Sequence, residues 1–151
     1  MMISTRGRYA LRVLTDLAEH RGSGYIPMKD VAERQGISLK YLERIMPVLI
    51  KNKFVDGMHG KGGGYKLNRE PDEYRVGDIL RLTEGNLAPI ACLGEDASPC
   101  ERASECRTLP MWKEFYRITN EFFDGITLAD LMAPDQAGND YITYSLSESK
   151  M

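Results

Sequence analysis

The sequence predicts a mainly α-helical chain, in which a winged helix-turn-helix is followed by a long C-terminal helix. Apolar residues recur at helical spacing in three successive segments at the start of the chain. A tight glycine-containing turn joins the second segment to the third, and a glycine-rich hairpin pattern comes next. A chain of 151 residues fits one compact unit with an appendage.

The first two helices are indicated by their end signals. Ser4 offers an N-cap to a helix over residues 5–21, which the glycine-rich stretch RGSG ends. Pro27 suits the start of a second helix over residues 28–35, because its missing N–H costs nothing in the first turn. Gly36 then ends that helix and provides the turn.

The third helix begins after Ser38, a further N-cap residue. Its sequence, SLKYLERIMPVLIKNK, places an apolar stripe on one side: Leu39, Leu42, Met46 and Leu49. The opposite stripe is polar: Lys40, Tyr41, Glu43, Arg44 and Lys51. The second helix of such a pair presents its N-terminal residues to the major groove of DNA. The polar stripe is therefore the candidate base-reading surface.

Residues 54–67, FVDGMHGKGGGYKL, predict two strands around a glycine-rich tip. Five glycines between Gly57 and Gly64 let the backbone approach a partner closely. His59 and Lys61 lie at the tip. A nucleotide-binding loop would also be glycine-rich, but the Walker pattern is absent. A wing that reaches DNA is the preferred interpretation.

Charge is distributed unevenly along the chain. Residues 1–70 hold 13 Lys and Arg against 7 Asp and Glu, and the remainder holds 7 against 15. The two parts therefore carry net charges of +6 and −8, within a total of −2. A basic front half suits a surface that neutralises phosphates, joined to a module that does not touch nucleic acid.

Two amphipathic segments follow the hairpin. Residues 75–84 predict a short helix that links the head to the rest of the chain. Pro110 stands at the start of a helix of about sixteen residues with a wide apolar stripe: Met111, Trp112, Phe115, Ile118, Thr119, Phe122 and Phe123. Dimerisation through this stripe is favoured, and burial against the chain's own head is the alternative. Thr127 caps a last short helix.

The predicted organisation has four parts. Residues 1–84 form the winged head with its linker helix, and residues 85–107 form a cysteine-containing loop. Residues 108–133 form the dimerisation helix and the final helix, and residues 134–151 form a flexible tail without apolar periodicity.

Three cysteines lie within fifteen residues of turn-forming sequence, CLGEDASPCERASEC. Cys92, Cys100 and Cys106 stand where no hydrophobic core requires them, and their odd number argues against a disulfide framework. The two histidines, His20 and His59, both lie in the head. The residues alone leave an iron–sulfur cluster, zinc and a thiol sensor open.

Several function classes are disfavoured. The start MMISTRGRYALRVL lacks a long apolar segment, and no run of about eighteen apolar residues occurs. We therefore expect a soluble, cytoplasmic protein that does not enter the membrane. Paired carboxylates, a nucleophile with its base and a complete phosphate loop are all lacking, so an enzyme is not expected.

Three stretches resemble the family of iron–sulfur and cysteine-metabolism repressors typified by IscR, with NsrR, RirA and CymR as relatives. They are STRGRYALRVL, ERQGISLKYLERI and GKGGGYKL, and the resemblance covers about residues 1–132. It implies a homodimer whose two heads read a near-palindromic operator in double-stranded DNA. It also places DNA-contacting residues at the front of the third helix and in the wing: Ser38, Lys40, Tyr41, Glu43, Arg44, His59 and Lys61.

The same resemblance implies an iron–sulfur cluster on Cys92, Cys100 and Cys106. The first cysteine spacing is two residues longer than in IscR, and Leu109 stands where a histidine ligand is expected. Because three thiolates can hold three corners of a cube, 4Fe-4S is favoured over 2Fe-2S. The expected function is a transcription regulator gated by a cluster that senses iron–sulfur status, redox state or nitric oxide. The alternative is a cluster-free thiol-sensing or partner-controlled repressor of the CymR type.

Overall fold

The computed structural model describes residues 2–22 and 24–132. The described chain is mainly helical and contains one antiparallel pair of strands placed after the third helix, as the sequence predicts. The elements in chain order are α1 (Thr5–Glu19), α2 (Met28–Gln35), α3 (Leu39–Lys51), β1 (Val55–Met58), β2 (Gly64–Leu67), α4 (Val76–Glu84), α5 (Leu109–Asp124) and α6 (Leu128–Met132). The predicted tail at 134–151 lies outside the described residues.

The predicted end signals act at the ends of α1 and α2. The Ser4 hydroxyl caps α1 by accepting a hydrogen bond from the Gly7 amide at 3.3 Å. Helix α1 ends at Glu19 and not at residue 21, because His20 leaves the helical conformation with φ −104° and ψ 19°. Gly36 ends α2 in the left-handed region, at φ 62°. Glycine adopts that conformation at little cost.

The head is held by apolar side chains from its three helices. Each of the following is almost completely buried: Val13, Leu14 and Leu17 of α1, Val31 of α2, and Leu42, Ile45 and Leu49 of α3. The predicted apolar stripe of α3 is wrong at Leu39, which is 42% exposed. Leu39 is the first residue of the helix and faces the groove beside the hairpin, so the core begins one turn later.

The hairpin pairs β1 with β2 in the register Val55↔Leu67 and Met58↔Gly64. Ile26 extends this pair, exchanging two backbone hydrogen bonds of 2.8 and 2.9 Å with Tyr65. The close approach requires glycine at position 64, since a Cβ there would lie 2.2 Å from the Ile26 carbonyl oxygen. The wing is thereby fixed to the segment that precedes α2.

The C-terminal half folds back onto the head. The Val76 amide donates to the Ile126 carbonyl at 2.8 Å, and the Leu128 amide donates to the Tyr74 carbonyl at 3.0 Å. A second apolar cluster lies beneath these bonds: Val76, Leu80, Leu87 and Ile126.

The described ranges contain no helix long and apolar enough to cross a membrane.

Helix α5 divides its predicted apolar stripe between two environments. Thr119 is buried, and Phe122 and Phe123 pack beside the second apolar cluster. Met111 remains 55% exposed, and Phe115 and Ile118 are each 43% exposed. The head therefore covers the later part of the stripe, and the earlier part is left on the surface.

Arg81 of α4 holds α5 in this position. Its guanidinium donates to the Asn120 amide oxygen at 2.8 Å and forms an ion pair with Asp124. A third contact, to Asp78 at 3.1 Å, lies on α4 itself. The orientation of the exposed apolar face is thus set by polar contacts as well as by packing.

Candidate functional site

The front of α3 presents polar side chains to solvent. Lys40, Glu43 and Arg44 are exposed, and their spacing of three and four residues places them on one face of the helix. Ser38 caps the helix, because its hydroxyl oxygen accepts a hydrogen bond from the Tyr41 amide at 3.2 Å. The hydroxyl proton of Ser38 is not used by this bond, so it can donate to a partner.

Tyr41 differs from its neighbours, since it is half-buried. Its ring meets the ring of Tyr9 edge to face, with centroids 5.2 Å apart. The guanidinium of Arg12 lies over the other ring, 5.3 Å from the Tyr9 centroid. This contact could not be predicted from the sequence, because Tyr9 and Tyr41 lie far apart in the chain.

The wing tip lies across a groove from the start of α3. His59 and Lys61 are exposed at the tip, where Gly60 and Gly62 have positive φ values of 89° and 77°. The groove has a volume of about 390 Å³, and its lining includes Leu39 of α3 and His59 of the wing. The start of α3 and the wing tip therefore lie next to each other, and of the seven predicted DNA-contacting residues His59 lines the groove.

A buried carboxylate that the sequence analysis missed connects α1 to α2. Asp16 is 1% exposed and accepts hydrogen bonds from the Arg34 guanidinium at 2.7 and 3.1 Å. The Gln35 amide donates a third bond to it at 2.9 Å. The sequence places Asp16 beside apolar residues of α1, which could have indicated a buried carboxylate. Its hydrogen-bond partners lie on another helix, so they could not be predicted.

Burial alone raises the pKa of Asp16, because desolvation disfavours the charged form. The hydrogen bonds from Arg34 and Gln35, together with the charges of Arg34 and His20, outweigh burial and lower that pKa from its usual 3.8. Asp16 is thus an ionised carboxylate that holds α1 to the C-terminal end of α2, next to the turn of the helix-turn-helix.

The three cysteines all have free thiols. Cys92 lies in a short helical turn at Ala91–Leu93 and is exposed, Cys100 is exposed, and Cys106 is half-buried just before α5. Tight turns connect them, including a hydrogen bond of 3.0 Å from the Ala103 amide to the Cys100 carbonyl. In residues 2–22 and 24–132, no three His, Cys, Asp or Glu side chains are grouped closely enough to hold a metal ion.

Cys106 is the thiol that its surroundings activate. Its sulfur lies 3.5 Å from the Thr108 hydroxyl, and this hydrogen bond, with others from the backbone amides of Thr108 and Leu109, lowers the pKa of the thiol. The positive charge of Arg102 acts in the same direction. A lowered pKa favours the thiolate, which is the form that binds metal or reacts with oxidants.

The cysteine-containing loop begins beside the N-terminus of α1. Glu84, the last residue of α4, accepts hydrogen bonds from the Ser4 amide at 3.1 Å and from the Ser4 hydroxyl at 2.6 Å. Gly85 follows at φ 88° and turns the chain into the loop. One end of α1 is therefore attached to the start of the loop.

Comparison with known proteins relates the chain to transcription regulators. A family model described as "Rrf2: Iron-dependent Transcriptional regulator" matches residues 3–134. The HTH-type transcriptional regulator IscR of Aliivibrio salmonicida is 35% identical over 136 residues, which cover 90% of this chain and 80% of that protein. IscR of Sodalis glossinidius is likewise 35% identical over 136 residues.

Solved structures of the same class share the fold. CymR, the global cysteine regulator of B. subtilis, superimposes with a TM-score of 0.71 at 35% identity, covering 87% of this chain and 96% of that one. T. potens IscR gives a TM-score of 0.69 at 35% identity, covering 95% and 97%. These relatives are named as regulators, which agrees with the expectation that the chain is not an enzyme. The winged-helix fold and the family match over nearly the whole described chain show that this protein belongs to the Rrf2 family of transcriptional regulators, among its IscR-like members.

Proposed function

We propose that the protein represses or activates transcription by binding a near-palindromic operator as a homodimer, under the control of an iron–sulfur cluster. The observation that carries the DNA-binding part is that Leu39, the first residue of α3, and His59 of the wing tip line one groove, so that the start of α3 and the wing are neighbours. A helix that reads bases in the major groove and a wing that contacts the adjacent DNA backbone must lie next to each other in this way.

Two kinds of contact are proposed on this surface. Ser38, Tyr41 and Glu43 read base edges at the front of α3, where donors and acceptors can discriminate base pairs. Lys40, Arg44 and Lys61 neutralise phosphates. His59 enters or borders the minor groove, where neutral imidazole is a weaker occupant than guanidinium.

Reversing the charge of Arg44 tests the surface directly. We expect Arg44→Glu to weaken operator binding at least about tenfold, equal to about 1.4 kcal/mol, because a carboxylate would face the phosphates. Fluorescence anisotropy with a labelled duplex, over a range of salt concentrations, measures this change. Lys113→Glu, which alters the net charge equally on α5, is the matched control and should remain within about twofold. Equal losses in both variants would remove Arg44 from the interface.

The exposed face of α5 supports the homodimer. Met111, Phe115 and Ile118 recur at steps of four and three residues, so they form one continuous apolar strip on the helix. A second copy of the chain can cover this strip, and a two-fold dimer would present two heads to a near-palindromic site.

A charge placed in this strip should separate the subunits. We expect Phe115→Glu to raise the dimer dissociation constant at least about tenfold, because burying an unpaired carboxylate at an interface is costly. Sedimentation velocity at several protein concentrations measures the dissociation. Lys113→Glu again serves as the control, since it adds the same side chain to the opposite side of α5. A Phe115→Glu protein that stays dimeric at every concentration would exclude this face.

Cys92, Cys100 and Cys106 would hold the cluster. Their chemistry fits, because all three are free thiols and none of them belongs to either apolar cluster. Since they are not gathered in the described structure, the loop at 85–107 has to rearrange to bring them together. Three protein ligands favour 4Fe-4S over 2Fe-2S, and a bound cluster would supply a redox-active group with one exchangeable iron ligand.

A second candidate is thiol sensing without a cluster. The lowered pKa of Cys106 favours it, as does the likeness to CymR structures, one of which is an oxidised form of Staphylococcus aureus CymR. Anaerobic purification followed by absorption and Mössbauer spectroscopy separates the candidates. The cluster proposal expects bound iron, and operator affinity that changes when the cluster is removed. Iron-free protein whose operator affinity responds to peroxide would favour the second candidate.

A further inference from the structure

The contact between Tyr9 and Tyr41 joins α1 to the first turn of the proposed recognition helix. The two rings meet edge to face at 5.2 Å, which is a favourable geometry for aromatic pairs. Both side chains are half-buried, and both pack against the core of the head. Among the described residues, neither phenol oxygen takes part in a hydrogen bond. The ring of Tyr41 is thus fixed, and its hydroxyl is left to interact with a ligand.

Arg12 fixes the other ring. Its guanidinium lies 5.3 Å from the Tyr9 centroid, within the range of a cation–π contact. The same group donates through Nε to the Gln35 side chain at 3.2 Å and through Nη2 to the Gln35 carbonyl. Gln35 is the last residue of α2 and also donates to the buried Asp16. Tyr9 is therefore held between the recognition helix and the turn that precedes it.

We infer that Tyr9, supported by Arg12, is a positioning residue that sets the orientation of Tyr41 for base recognition. The inference rests on the proposed DNA-binding function and adds a determinant of specificity outside the DNA-facing surface. A tyrosine free in solvent samples several rotamers, and ordering it on binding costs free energy. A ring ordered in advance avoids that cost. Contacts to base edges depend on side-chain orientation, whereas contacts to phosphates can form on DNA of any sequence.

The consequence is a selective effect on operator recognition. Loss of the Tyr9 ring should reduce affinity for the operator and leave affinity for unrelated DNA unchanged. A merely structural role for Tyr9 would lower stability and weaken both kinds of binding together. The ratio of the two affinities therefore distinguishes positioning from general destabilisation.

The experiment uses the full chain and an operator selected from a random pool of duplex DNA. We expect Tyr9→Leu to lower the ratio of operator affinity to scrambled-duplex affinity about tenfold, which corresponds to about 1.4 kcal/mol. Tyr9→Phe keeps the ring and should retain the wild-type ratio. In a Tyr41→Ala background, Tyr9→Leu should have no further effect, because the residue it positions is gone. Arg12→Met, at an exposed position, should lower the ratio about threefold. This variant tests the inference if the Tyr9→Leu protein does not fold.

Two results would overturn the inference. One is an equal loss of operator and scrambled-duplex affinity in Tyr9→Leu, and the other is an undiminished effect of that substitution in the Tyr41→Ala background. Failure of the proposed function is distinguishable from both, since wild-type protein would then select no sequence from the pool at all.

Discussion

Replacing Cys92, Cys100 or Cys106 with alanine is expected to remove all bound iron from the anaerobically purified protein. A cluster held by only three protein thiolates cannot lose one of them and keep its remaining ligands in place. The fold should persist, because the cysteines lie outside both apolar clusters and their removal leaves no cavity in the core. Loss of the cofactor and retention of the fold are therefore separable.

Iron and acid-labile sulfide per chain measure the loss, and far-ultraviolet circular dichroism with thermal melting monitors the fold. Ser98→Ala and Ser104→Ala remove an oxygen from the same loop and should keep the full iron content. A single cysteine variant with undiminished iron would show that its thiol is not a ligand. Wild-type protein without iron would remove the cluster from the proposal and leave the thiol-sensing candidate.

The helices of the head could be predicted because their signals are local. Ser4 and Ser38 cap the helices they precede, and Gly36 ends α2 in the left-handed conformation that favours glycine. Such positions act through the backbone within one turn, so their effect does not depend on the rest of the fold. The hairpin followed in the same way from the glycine-rich segment between two short apolar runs.

The determinants that the sequence did not reveal depend on contacts between distant segments. Tyr9 looks like any aromatic residue of an amphipathic helix until Tyr41 is placed beside it. The stripe on α5 looked continuous, yet the second apolar cluster takes up Phe123 and leaves Phe115 exposed. In the cysteine-containing loop, the sequence identifies three cysteines as candidate ligands. The turn-forming residues around them do not specify where the thiols lie relative to one another.

Asp16 is a further case of a contact that only the tertiary structure reveals, and its loss should have the largest effect on stability. We expect Asp16→Ala to lower the free energy of unfolding by about 3 kcal/mol, near the lower end for a broken buried ion pair, because Arg34 is partly exposed. The substitution leaves the Arg34 guanidinium and the Gln35 amide without their shared acceptor. Urea unfolding measures the loss. Glu19→Ala, which removes an exposed carboxylate from the same helix, should change stability by less than about 0.5 kcal/mol.

The pH dependence of this loss identifies its cause. The folded-state pKa of Asp16 lies below the usual 3.8, so the ionised carboxylate stabilises the native state fully above that pH. Its contribution disappears as the pH falls through the lower, folded-state value. The difference in unfolding free energy between wild type and Asp16→Ala should therefore be constant near neutral pH and shrink below pH 3.8. A difference that stays constant down to the acid-unfolding limit would mean that Asp16 acts through packing and not through its charge.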